Sequence, residues 1–95
     1  MQEEINNVIE QGYKPILFID TSLATSTPTV SEEIRSIARR ARTLPIQIVY
    51  SDKIDNLMRV SKAYVFRYGS IDRILEAAIK RKGGKIVSGN FKVPA

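Results

Sequence analysis

Arg35, Arg39 and Arg42 recur at i, i+4 and i+7, a spacing that puts three guanidinium groups on one face of a helix. Arg40 widens that face. A guanidinium is a planar fork of donors that matches phosphate oxygens and stacks on bases. A second basic cluster, Lys80, Arg81, Lys82 and Lys85, surrounds the pair Gly83-Gly84, where a backbone without side chains can approach a ligand closely. Both clusters fall where helices are expected to end, so the helix dipole also explains cations there. The partner chemistry they imply is a polyanion, with RNA first and DNA second.

Carboxylates offer a different chemistry. Asp20 closes an apolar run and would stand at a strand end, while Asp52, Asp55 and Asp72 stand where helices should begin. Carboxylates gathered at such a rim hold magnesium or manganese for phosphodiester hydrolysis. Helix capping accounts for Asp52, Asp55 and Asp72 equally well, which leaves Asp20 as the one without a structural role. The chain has no histidine and no cysteine. Serine–histidine hydrolysis, thiol catalysis, zinc–thiolate sites and disulfides are therefore excluded. The phosphate-cradling pattern GxxxxGK[ST] is absent, and the polar run TSLATSTPT after Asp20 has no glycine, so a dinucleotide fingerprint is missing too. No cofactor is expected.

Four short apolar runs alternate with amphipathic segments and must position these groups. The runs are residues 15–20 (PILFID), 45–50 (PIQIVY), 64–68 (YVFRY) and 85–88 (KIVS). Residues 2–11 read as a helix with Ile5, Val8 and Ile9 on one side and Gly12 as its stop. After a long polar loop over residues 21–29, Thr29-Val30-Ser31-Glu32 fits a capping box, which predicts a helix from near Val30. Its buried stripe is Ile34, Ile37, Ala38 and Ala41. Ser51 or Asp52 should cap a short third helix with Ile54, Leu57 and Met58 inward. Gly69-Ser70 should open the last helix, with Ile71, Ile74, Leu75, Ala78 and Ile79 as its core face.

Helices between strands are the crossovers of parallel strands. The expected architecture is α/β: a single domain over residues 1–95, built as a three-layer α/β/α sandwich. Its four-stranded sheet should be mostly parallel, with an extra N-terminal helix. Tyr64, Phe66 and Tyr68 then share one sheet face and pack in the core rather than stack on bases. A net charge of +5 agrees with a polyanion partner. No stretch of 18 apolar residues occurs, and the start, MQEEINN, lacks the basic and apolar regions of a signal peptide. No membrane partner is expected, and the cytoplasm is the default compartment. A third class of function, a structural protein that forms a homodimer, would need an exposed apolar patch, for which Leu23, Val30 and Phe91 are the loop candidates.

Two resemblances add to this. The runs INNVIEQGYKPILFIDTS and SEEIRSIARRARTLPIQIVYSDKIDNL resemble the kink-turn-binding family of ribosomal proteins. The later run ILEAAIKRKGGKIVSGN is similar to the segment that opens those proteins, so the order here would be circularly permuted. That family touches RNA through a glycine, any residue, an asparagine and a glutamate at a helix start. Here Gly89 and Asn90 are adjacent and no glutamate follows. The resemblance implies RNA binding in a ribonucleoprotein, with Gly89 and Asn90 as the contact closest to the RNA backbone.

The second resemblance is to PIN-domain ribonucleases. ILFIDTS looks like their opening strand with its metal-binding aspartate, which is Asp20 here. AYVFRYGSIDRILEAAIKRKGGKIVSGN looks like their later strand, aspartate-led helix and final strand. Asp72 would match the helix aspartate, Asp55 the middle acidic residue, and Asn90 stands where the last carboxylate belongs. This implies a degenerate, metal-dependent ribonuclease using Asp20, Asp55 and Asp72. The basic clusters favour the other expectation, a small RNA-binding protein without catalysis.

Overall fold

Strands and helices alternate along the chain in the computed structural model, which describes residues 2–25 and 28–91. Helix α1 (Gln2–Glu10) precedes strand β1 (Lys14–Ile19), a one-turn 3-10 helix (Thr21–Thr25) and helix α2 (Pro28–Ala41). Strand β2 (Gln47–Tyr50), helix α3 (Asp55–Arg59), strand β3 (Ala63–Tyr68), helix α4 (Arg73–Arg81) and strand β4 (Lys85–Asn90) follow. The four strands form one sheet in the order β2-β1-β3-β4. Every neighbouring pair is parallel, so the sheet is wholly rather than mostly parallel.

Both faces of the sheet are covered. Ile5 and Val8 of α1 and Ile34, Ile37 and Ala41 of α2 pack with Leu17, Ile19, Phe66 and Tyr68 on one face. Leu57 of α3 and Leu75 and Ile79 of α4 pack with Ile16, Phe18, Val49 and Val65 on the other. The result is a three-layer α/β/α sandwich. Alternation of side chains along a strand explains the division, because Leu17 and Ile19 point opposite to Ile16 and Phe18. Phe66 and Tyr68 are buried, and Tyr64 is half-buried in ring contact with Tyr13 and Phe66. The aromatic strand is core, as its spacing suggested.

Several local expectations shift. The polar loop is shorter than its composition suggests, because residues 21–25 coil into the 3-10 helix and α2 begins at Pro28. Proline suits the first helical turn, where its missing N–H has no partner to lose, so the capping box at Thr29 lies inside the helix rather than ahead of it. Helix α3 begins at Asp55 after Ile54, which makes no side-chain cap, so neither Ser51 nor Asp52 caps it. Helix α4 begins at Arg73, four residues after Gly69, and Asp72 is its N-cap. Its buried stripe is Leu75, Ala78 and Ile79, while Ile74 is 78% exposed. Met58 and Ile9 also face outward more than their spacing implied. Phe91 is buried and Leu23 and Val30 pack against the core, so these three make no exposed apolar patch.

Candidate nucleic-acid interface

Crossover helices run opposite to the parallel strands they connect, so α2 and α4 both end at the edge of the sheet where strands begin. Arg35 and Arg39 sit on α2 and Arg42 stands one residue past its end, its N–H still donating to the Ala38 carbonyl at 3.2 Å. Ile34, Ile37, Ala38 and Ala41 face the sheet, which turns Arg35, Arg39 and Arg42 outward, and all three are exposed. They line a groove of about 410 Å³ between α2 and the outer strand β2, floored by Ile34 and Ala38 and walled by Tyr50. Among the described residues, none of the three arginines has a carboxylate within ion-pair distance. Arg40 is exposed on the same helix and makes an interaction of its own.

The second expected cluster is placed differently. Helix α4 lies on the opposite layer from α2, so the two basic helix ends do not share one helix face. Lys80 pairs with Glu76 at 3.1 Å, one turn back along α4. Arg81, Lys82 and Lys85 are exposed. What the sequence reading missed lies beside them. The Lys14 N–H donates to the Lys62 carbonyl, and the Lys62 N–H donates to the Lys82 carbonyl, each at 2.9 Å. These bonds draw the turns before β1, β3 and β4 into one rim carrying Lys14, Lys62, Lys82 and Lys85.

Tyr13 stands in that rim. The Lys62 and Lys85 ammonium groups lie 5.2 and 5.4 Å from its ring centroid, within range of a cation–π attraction. Lys62 holds a φ of 56°, in the left-handed region that favours glycine or asparagine. No local signal joins residues 13 and 14 to residue 62, which stands far from them in sequence. Only the pairing of β1 with β3 brings them together.

The carboxylates do not gather. Asp20 accepts the N–H and the hydroxyl of Ser22 on one oxygen, at 3.1 and 2.6 Å, and so closes the turn into the 3-10 helix. Asp72 accepts the Leu75 N–H at 2.8 Å as the cap of α4. Asp55 is exposed in the first turn of α3. Among the described residues, no group of three Asp or Glu side chains is placed to hold a metal ion. Asp20 thus has the structural role that the sequence did not reveal.

The opposite edge of the sheet, where strands end, is where ligands of open α/β sheets usually sit. The topology puts the switch point between β1 and β3, since α2 and α4 leave toward opposite faces. There the chain packs on itself. A Cβ at Gly69 would lie 2.4 Å from the Asp20 Cβ and 2.9 Å from Leu23 Cδ1. The Thr21 N–H and hydroxyl both bond the Ser51 hydroxyl, at 2.9 and 2.8 Å. Burial, with the neighbouring Glu33 accepting its hydroxyl, pushes the Tyr68 pKa up, so it stays a neutral donor at this edge.

A second hollow of about 330 Å³ lies between α4 and β4, with Arg67 in its wall. The Arg67 guanidinium donates to the carbonyls of Val87 and Gly69, at 3.0 and 2.8 Å, and to that of Ser88. Gly89 is exposed with open space around it, and the Asn90 side chain lies outside the described residues. No helix is long and apolar enough to cross a membrane among the described residues. No protein-family model, curated protein or solved structure matches the chain. The chemistry of these surfaces therefore bears on function by itself.

Proposed function

We propose that this protein binds RNA without catalysing a reaction. The observation that carries the reading is the α2 groove, where Arg35, Arg39 and Arg42 line one hollow and, among the described residues, have no carboxylate within ion-pair distance. A guanidinium not neutralised within its own fold is available to a phosphate, and releasing the counterions around the strand favours the complex. Arg40 extends this surface along α2. The rim of Lys14, Lys62, Lys82 and Lys85, with Arg81 and Lys80 close by, adds further positive charge at the edge where strands begin. Gly89 and Asn90, at the end of β4, are the remaining candidates for close approach to an RNA backbone. The use of Asp20 and Asp72 in local turns and caps supports binding in preference to hydrolysis.

The test is fluorescence anisotropy with labelled RNA at low salt. Replacing Arg35, Arg39 and Arg42 together by Ala should weaken binding at least about tenfold, since each lost charge-assisted contact is worth roughly 1 kcal/mol or more. The melting temperature should barely move, because all three side chains are exposed. Unchanged affinity in a folded triple variant would overturn the proposal. RNA incubated with the protein and manganese should stay intact.

A further inference from the structure

The same groove has a shape that a row of surface cations lacks. It is concave, its floor is apolar, and one wall is the half-buried ring of Tyr50 on the outer strand β2. Resting on the RNA-binding reading above, we infer that its occupant is an unpaired stretch of RNA, with one base inserted against Tyr50 and its flanking phosphates on the arginines. A duplex is a convex rod whose bases are already stacked and paired, so it can offer only phosphates to the rim of such a hollow. A single strand can turn a base out of line and place it on an aromatic face. The helix rises 1.5 Å per residue and its hydrogen bonding continues to the Arg42 N–H, so Arg35 and Arg42 are separated by roughly 10 Å along the axis of α2. That is a line of positive charge running beside the hollow, suited to a backbone that tracks the helix while a base points inward. Ile34 and Ala38 supply the apolar floor that a base covers more favourably than water does.

The experiment compares one labelled RNA as a single strand and annealed to its complement, by anisotropy at a fixed salt concentration. The wild-type protein should prefer the single strand. Tyr50→Ala should weaken single-strand binding about 5- to 150-fold, the range for one stacked base, and leave duplex binding within about twofold. Tyr50→Phe should keep the preference, since the ring and not the hydroxyl does the stacking. Tyr50 also packs against the core, so Tyr50→Leu serves as the second variant. It fills much of the same space without an aromatic face, and it should lose single-strand affinity as Tyr50→Ala does. Equal or tighter duplex binding by the wild type would overturn the inference. So would single-strand affinity unchanged in a folded Tyr50→Leu protein. Either result leaves RNA binding intact if the triple arginine variant still fails, whereas loss of no affinity in that variant sinks the RNA-binding reading itself.

Discussion

Lys62 is the residue at which fold and charge pull in different directions. A left-handed φ of 56° costs a lysine about 1 kcal/mol, and asparagine adopts it more readily. Its ammonium group regains part of that through the Tyr13 ring, roughly 0.5–1 kcal/mol at an exposed site. The two terms nearly cancel. Lys62→Asn should therefore leave stability within about 0.5 kcal/mol while lowering RNA affinity, which thermal melts and anisotropy would show together. Two glycines make the complementary case. Gly69 has a φ of 99° and no room for a Cβ beside Asp20 and Leu23. Gly69→Ala should cost at least about 2 kcal/mol, through backbone strain and overpacking. Gly89 has open space around it, so Gly89→Ala should leave the melting temperature unchanged. A loss of RNA affinity in that second variant alone would mark Gly89 as a contact.

Helix α4 illustrates what an element owes to its ends. Its stripe of Leu75, Ala78 and Ile79 gives it a side to bury, and Asp72 fixes where it begins by accepting the Leu75 N–H. Asp72→Ala should cost about 1 kcal/mol, whereas Asp72→Asn, still an acceptor, should cost little. If chemical denaturation showed the two variants equally destabilised, charge at the helix N-terminus rather than the cap would be what matters. Periodicity made the stripe legible in the sequence, along with the existence and order of the four strands and four α-helices, though not the 3-10 helix over residues 21–25. It did not fix phase at the boundaries. Ile74 lies one step from Leu75 and one turn from Ala78, so the pattern admits it to the core, yet the position of α4 on the sheet leaves it in solvent. Arg67 was equally illegible. It reads as one more cation on an aromatic strand, but its fork is spent on the carbonyls of Val87, Gly69 and Ser88 where the pairing of β3 with β4 becomes irregular. The arginine face of α2 was readable because i, i+4, i+7 spacing is local. The lysine rim was not, because parallel pairing across long crossovers assembles it.

On the scale of the whole molecule, the usual ligand crevice and the basic surfaces proposed for RNA fall in different places. The end where strands finish, the usual ligand crevice, is occupied by Asp20, Leu23 and Gly69 packed together. The cations of the groove and of the rim lie along the flank of α2 and at the end where strands begin, on a body of 36 × 30 × 20 Å, while Lys53 and Arg73 stand just past the ends of β2 and β3. The α2 groove and the lysine rim are two separate surfaces, since no residue belongs to both. Salt dependence separates the contributions. For a single strand, log affinity falls against log salt with a slope of about −0.7 for each phosphate neutralised. Removing Arg35, Arg39 and Arg42 should therefore flatten the slope by about 2, and removing Lys14, Lys62, Lys82 and Lys85 by about 3. An oligonucleotide short enough to fill only the groove should show the first contribution and none of the second. If the lysine variant leaves the slope of a long RNA unchanged, the rim makes no contact and the whole interface is the groove on α2. If the arginine variant does so, the groove is empty of phosphate, and the positive charge of α2 serves only to cap its own helix.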